Sequence, residues 1–288
     1  MDCLTYWDRM DGNGNLSKAT LQNLHTHSTF CDGADTPEEM VLAALEKGFS
    51  SVGFSGHAFT PQSPAFLKFG DITARYKQEI SRLKEVYKDR LEIYCGLEVD
   101  LYSEYDLTGY DYLIGSVHYL KFGDRIHGFD RNLQNTTAYI QEHFGGDGMR
   151  FARQYFDTLC LLPQKHPFEI LGHFDLVAKN NDLGLFFDTT SQEYLHAGFE
   201  TIHTLKGRIP LFEVNTGAIA RGYRTAPYPQ AEFLKEFLAC GFGAVITSDC
   251  HDKRFLDCHF QETTQLLKSI GFTTKWILTG SGFREVAL

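Results

Sequence analysis

Leu21-Gln22-Asn23-Leu24-His25-Thr26-His27 carries a short apolar run straight into two imidazoles. In an extended segment residues i and i+2 project from the same face, so His25 and His27 form one coplanar pair of nitrogen donors. The same unit recurs along the chain. An apolar run at 51–54 leads to His57, one at 91–97 to Glu98 and Asp100, and one at 110–117 to His118. Residues 168–172 lead to His173, and residues 243–247 to Asp249 and His251, again an i, i+2 pair. A seventh run, 209–214, opens onto the loop Asn215-Thr216-Gly217-Ala218-Ile219-Ala220-Arg221-Gly222-Tyr223-Arg224.

Amphipathic helical stretches separate these runs, at roughly 73–88, 149–162, 190–205, 229–239 and 259–269. The helix after the first run is announced by Thr36-Pro37-Glu38-Glu39. Thr36 can cap, Pro37 suits the first turn, Glu39 completes a capping box, and Gly48 ends the helix. Strand followed by helix, about seven times over, means a parallel α/β sheet, open or closed. In an open sheet only strands beside a switch point share a site. In a β/α barrel every strand delivers its carboxyl end to one mouth. Ligand-type side chains after so many strands therefore favour closure into a barrel.

The chain has 288 residues, long enough for such a barrel as one unit. Residues 21–288 are expected to form a single barrel domain, preceded by a polar, Gly/Asn-rich extension over 1–20. Within that extension, 11–15 resembles a calcium loop only faintly, because Leu16 and Gln22 stand where the glycine and the bidentate acid belong. Residues 122–148 read as a long loop with a helical patch, placed to act as a lid. The net charge is −10 with no basic stripe, which argues against a nucleic-acid partner. No run suits a membrane span, and the amino-terminal residues lack a secretion signal, so a cytoplasmic protein is expected. Seven cysteines without a CxxC pair fit reduced thiols better than disulfides or a thiolate zinc site.

Imidazole and carboxylate are the donors preferred by zinc, iron and manganese, and several together suit a multinuclear site. Glu98 is the candidate bridge between two ions; Asp100 is equally suited to ligate or to orient a ligand. Any one of these histidines alone reads most simply as a hydrogen-bonded or surface residue, but the set at successive strand ends does not. His127, His143, His166, His196, His203 and His259 fall in helices or loops and read as structural or solvated. Other templates fit poorly. Ser55 in Gly53-Phe54-Ser55-Gly56-His57 has its second glycine one place early for a nucleophile elbow. There is no P-loop, and Gly280-Ser281-Gly282 lacks the third glycine of a dinucleotide motif. An acid pair for glycoside hydrolysis would leave the histidines unexplained.

The chain resembles the PHP (polymerase and histidinol phosphatase) superfamily, in particular its histidinol-phosphatase branch. The resemblance is carried by His25-Thr26-His27-Ser28-Thr29-Phe30-Cys31-Asp32-Gly33, Thr36-Pro37-Glu38-Glu39-Met40, Phe54-Ser55-Gly56-His57 and Gly96-Leu97-Glu98-Val99-Asp100. It continues through Gly115-Ser116-Val117-His118-Tyr119, Gly172-His173-Phe174-Asp175 and Thr247-Ser248-Asp249-Cys250-His251. What it implies is a distorted (β/α)7 TIM-like barrel holding three divalent ions of zinc, manganese or iron at the carboxyl ends of its strands. One ion would use His25, His27, Glu98 and Asp249, and a second would share Glu98 and add His118 and His173. The third would take His57, His251 and Asp32, where many superfamily members have histidine.

The implied reaction is hydrolysis of a small phosphate monoester by a metal-bridging hydroxide, with Asp249 accepting the proton. L-histidinol phosphate is the first expectation, another phosphate ester, nucleotide or phosphotyrosyl peptide the second, and a non-catalytic metal-binding barrel the third. Three dications against three ligand carboxylates would make the pocket of an acidic protein locally cationic. Arg221, Arg224 and Lys179 are the candidate phosphate-binding cations. The oligomeric state is not legible in the chain.

Overall fold

The computed structural model describes residues 20–61, 72–106, 108–181 and 184–288. The expected extension over 1–20, Thr20 apart, and the calcium-like stretch 11–15 lie outside the described residues. Strand β1 (Gln22–Asn23) is followed by helix α1 (Pro37–Lys47), β2 (Ser51–Phe54), α2 (Thr73–Tyr87), β3 (Glu92–Asp100) and β4 (Tyr112–Ser116). The chain then leaves the sheet for a hairpin, β5 (Tyr119–Phe122) and β6 (Arg125–Gly128), and for helices α3 (Leu133–Phe144), α4 (Gly148–Leu159) and α5 (Leu162–Lys165). It returns as β7 (Ile170–Leu171), α6 (Gln192–Leu205), β8 (Leu211–Asn215), α7 (Gly217–Ala220), α8 (Ala231–Cys240) and β9 (Gly243–Thr247). Helix α9 (Phe260–Ile270) and a second hairpin, β10 (Thr274–Thr279) with β11 (Gly282–Ala287), complete it.

Seven strands pair in parallel in the order β1-β2-β3-β4-β7-β8-β9. Nearly all their residues are buried, as expected for strands covered on both faces. The cylinder closes between its first and last strands. His27 N–H donates to Cys250 C=O (2.8 Å) and Cys250 N–H to His25 C=O (2.9 Å). One step back along the strands, the side chain of Asn23 replaces the backbone ladder: its Nδ2 donates to Ser248 Oγ (2.7 Å) and its Oδ1 accepts from Ser248 N–H (3.3 Å). The barrel is thus tied at the mouth where the ligand-type residues emerge.

Its interior is filled by Leu24, Tyr94, Tyr112, Ile114, Ile170, Leu211 and Val245, with Leu278, Trp276 and Phe283 of the C-terminal hairpin packed against them. Tyr112 lies across Gly53 and Gly96, where an added Cβ would come within 2.3 Å of its ring or hydroxyl. Glycine at those positions makes room for the ring. The larger core lies between strands and helices and includes Phe156, Phe174, Phe212, Phe233 and Phe237.

Local signals act as read. Thr36 Oγ1 accepts from Glu39 N–H (3.3 Å), Glu39 Oε2 accepts from Thr36 N–H (2.9 Å), and Gly48 ends α1 at φ 77°. The expected loop over 122–148 is mostly regular instead. Gly123-Asp124 turns β5 into β6, with Phe122 opposite Arg125, and Asn132 and Gly145 cap α3 at its two ends. The carboxyl-terminal hairpin was also not anticipated; its turn is Gly280-Ser281. Among the described residues, no helix is long and apolar enough to cross a membrane.

Candidate metal centre

All nine ligand-type side chains picked out in the sequence meet at the carboxyl-end mouth of the barrel. Glu98, at the end of β3 and 2% exposed, is the hub. Its Oε2 lies 3.4 Å from His25 Nε2, 3.6 Å from His27 Nε2 and 2.8 Å from His57 Nδ1. Its Oε1 lies 3.0 Å from His173 Nε2 and 3.5 Å from His118 Nε2. Asp249 Oδ1 faces His27 Nε2 at 3.1 Å, His251 Nδ1 at 3.4 Å and His25 Nε2 at 3.6 Å. Asp249 holds its carboxylate there from a left-handed backbone, φ 43°, a conformation that is uncommon outside glycine and clusters at functional sites.

Three compact donor groups result: His25, His27 and Asp249; His57, Glu98 and His118; and His27, Asp32, His57 and His251. The last includes Asp32. Asp32 approaches His27 Nδ1 (3.3 Å), His251 Nε2 (3.3 Å) and His57 Nε2 (3.6 Å). It is the outermost of the nine, its side chain 55% exposed. A fourth group, His203, Glu236 and Cys240, sits on the helical exterior between α6 and α8 and has no part in this mouth.

Charge and burial make the cluster unusual. Burial opposes a charge on His25, yet Glu213, Glu98 and Asp249 together raise its pKa to about 10. His27 and His57 are likewise raised well above the ordinary value against the cost of burial, His57 chiefly by Glu98 and Asp32. His118 goes the other way, burial lowering it to about 4. Glu98 is held well below the usual carboxylate range despite burial, by His25, His118 and His57. Even so, His25 Nε2, His27 Nε2 and Glu98 Oε2 are buried without a hydrogen-bond partner. They face one another across gaps of 3.4–3.6 Å. Buried polar atoms are nearly always satisfied. Nitrogen and oxygen atoms converging on a common space, of the donor types zinc, iron and manganese prefer, are what divalent cations would satisfy on displacing the imidazole protons.

The surrounding residues divide into supports and cations. Asp100 accepts from the main-chain N–H groups of His118 (2.6 Å) and Tyr102 (3.1 Å), so it orients the turn that presents His118. Ser55 Oγ accepts from Thr26 N–H (3.2 Å) and steadies the His25–His27 segment. Arg221 reaches the mouth: its Nη2 donates to Asp249 Oδ2 (2.8 Å) and its Nη1 to Asp249 C=O (2.8 Å). Arg224 is turned to the buried Asp175 and Lys179 to the half-buried Asp130. Arg224 Nη1 lies 3.3 Å from Asp175 Oδ2, and Lys179 Nζ lies 2.9 Å from Asp130 Oδ2. An open groove at the opposite end of the barrel, lined by Ile209, Phe242, Gly243 and Trp276, contains none of these groups.

One acid was passed over in the sequence. Glu213, in the middle of β8 and fully buried, accepts from His25 Nδ1 (2.8 Å), His173 N–H (2.6 Å), Asn215 Nδ2 (2.8 Å) and Thr247 Oγ1 (2.7 Å). Its signal was a charge inside the apolar run Leu211-Phe212-Glu213-Val214.

Comparison with known proteins agrees with this geometry. A model of the PHP domain family matches residues 23–216. A protein described as a probable histidinol-phosphatase in Deinococcus radiodurans is 26% identical over 266 residues, spanning 88% of this chain and 95% of that one. Another so described in Schizosaccharomyces pombe is 26% identical over 283 residues, 87% of each chain. The crystal structure of histidinol phosphate phosphatase from Lactococcus lactis, in complex with zinc, L-histidinol and phosphate, superimposes with a TM-score of 0.64. It is 20% identical, over 92% of this chain and 98% of that one. At that identity the likeness is one of fold.

Proposed function

The chain belongs to the PHP domain family, and from that premise we propose that it is a metal-dependent phosphomonoesterase hydrolysing L-histidinol phosphate to L-histidinol and phosphate. The observation that carries this is the convergence of nine imidazole and carboxylate side chains, with buried donor atoms left unpartnered, at one mouth of a closed barrel. The relatives that span most of the chain are described as histidinol-phosphatases, which supports the choice of ester. In this proposal residues 21–288 act as one catalytic unit.

His25, His27, Asp32, His57, Glu98, His118, His173, Asp249 and His251 would hold up to three divalent ions, with Glu98 shared between neighbouring ones. Bound there, such ions supply Lewis acidity, acidifying water and neutralising charge on phosphoryl oxygens. The protein's own groups do the rest. Asp249 is kept ionised by Arg221 against the cost of burial, so its carboxylate, besides serving as a ligand, would be able to accept a proton at the mouth. Arg221, its side chain 28% exposed, keeps N–H donors at the mouth for a phosphoryl oxygen. Asp100, through its hold on the main chain at His118, fixes one wall of the pocket. The segment from Tyr119 to Phe144 stands beside that wall; its first ring, Tyr119, packs edge-on to His118 (6.4 Å between centroids).

The test is a panel of phosphate esters with purified protein and added zinc or manganese. The expected outcome is a specificity constant for L-histidinol phosphate at least tenfold above that for nucleotides, sugar phosphates and phosphotyrosyl peptides. A different best ester would replace the substrate. Uniform inactivity at full metal occupancy would end the enzymatic proposal.

A further inference from the structure

Glu213 is fully buried, yet it holds the side chain of one ligand and the main chain of another, assigned to different ions. Its Oε2 accepts from His25 Nδ1 and from Thr247 Oγ1; its Oε1 accepts from the main-chain N–H of His173 and from Asn215 Nδ2. His25 and His173 stand on opposite sides of β8, beyond the ends of the first and fifth barrel strands, β1 and β7. An ionised carboxylate only accepts hydrogen bonds, so the proton between Glu213 and His25 must sit on Nδ1. That leaves Nε2, which faces Glu98 Oε2 and Asp249 Oδ1, as the nitrogen that would give its lone pair to an ion.

We propose that Glu213 is a positioning residue for the metal centre, fixing the tautomer of His25 and the main chain of His173 so that both present lone pairs to the ions. This rests on the reading that the mouth binds divalent ions, but not on the identity of the ester.

The arrangement makes Glu213→Gln unusually informative. Two donors, His173 N–H and Asn215 Nδ2, converge on Oε1 and would pin the amide oxygen of glutamine there. The amide nitrogen must then replace Oε2, facing His25 Nδ1. Thr247 can adapt, because its hydroxyl can accept as well as donate. His25 cannot. It would have to accept at Nδ1 and carry its proton on Nε2, which removes the lone pair from the ion. A nearly isosteric change thus inverts a tautomer without opening a cavity. Orienting partners of metal ligands are typically worth about 10–100-fold in metal affinity.

The experiment compares full-length wild type with Glu213→Gln, both labelled with ¹⁵N at histidine, using zinc as the probe. His25 resonances are assigned by their loss in His25→Ala. In zinc-loaded wild type, His25 is expected to carry its proton on Nδ1. In Glu213→Gln the proton is expected on Nε2, with zinc affinity in chelator competition reduced at least about tenfold and the melting transition still cooperative. A Glu213→Gln protein that keeps the Nδ1–H form and wild-type affinity within twofold would overturn the proposal. If the variant does not fold, the wild-type spectrum decides alone: a His25 whose Nδ1 lacks a proton in the zinc-loaded protein overturns it, and one with a slowly exchanging Nδ1 proton supports it. Wild type that binds zinc but spares L-histidinol phosphate would overturn only the substrate. Wild type that binds no zinc would overturn both.

Discussion

At the scale of single residues, the two arginines of the 217–224 loop are predicted to behave differently. Arg221 leaves donors at the mouth, whereas Arg224, half-buried, packs against Asp175 and over the Tyr228 ring (4.4 Å to its centroid). Arg221→Ala is expected to lower kcat/KM for the phosphate ester by ten- to a hundredfold while lowering the melting temperature less than Arg224→Ala does, because His25, His27 and His251 still face Asp249. Arg224→Ala should do the reverse, because it leaves Asp175 buried and unpaired at a cost of about 3 kcal/mol. Comparable falls in kcat/KM for both, with both melting temperatures unchanged, would refute the division. A second residue-scale prediction concerns protons. His25, His27 and His57 sit above their ordinary pKa without ions, so at pH 7 they hold protons that a metal must displace. Zinc uptake should therefore release at least one proton, seen by calorimetry in buffers of different ionisation enthalpy, and affinity should rise with pH. Release of none would refute it. These ligands were legible because each stands just beyond an apolar run. Glu213 was not, because a buried strand shows no alternation of polar and apolar residues from which to judge where one acid points.

At the scale of elements, the barrel strands and most helices were legible from apolar runs and caps, with ends coinciding or displaced by at most three residues. The two hairpins were not. In the first, Tyr119, Lys121, Ile126 and Gly128 mix polar and apolar character on a ribbon lying off the barrel, so burial leaves a weak pattern. What fixes this ribbon and α3 is tertiary: Asn180 Nδ2 donates to Asp130 C=O (3.2 Å), and Lys179 neutralises the Asp130 carboxylate (2.9 Å). Phe122 adds ring contacts with His143 (4.3 Å between centroids) and Phe144 (5.3 Å). Lys179→Met should therefore act on the element before it acts on chemistry. Amide hydrogen exchange over 119–130 is expected to speed several-fold, and KM to change less than threefold. A large rise in KM with protection unchanged would instead place Lys179 on the phosphate.

At the scale of the whole molecule, the two ends of the cylinder are built on opposite principles. One end gathers charge around a shared carboxylate. The other is plugged by the C-terminal hairpin, where the side chain of Gln22 pairs with both main-chain groups of Leu278, Nε2 to C=O and Oε1 from N–H, each at 2.8 Å. Lys275 lies in that plug, 3% exposed, its Nζ donating to Thr20 C=O (3.0 Å). Burial lowers its pKa from 10.5 to about 8, a charging cost of about 3 kcal/mol. The sign follows from proton counting. Below pH 8 the amine is charged both folded and unfolded, so the folded state bears the full cost. Between pH 8 and 10.5 the unfolded chain binds the extra proton, and folding gains stability as pH rises. Lys275→Met removes the charge, and with it this slope. Denaturant unfolding of ion-free protein should find Lys275→Met more stable than wild type at pH 7, less the hydrogen bond to Thr20, with the advantage shrinking steadily from pH 8 to 10. A gap that stays constant across that interval would mean the amine is solvated, and that the plug is looser than its packing implies.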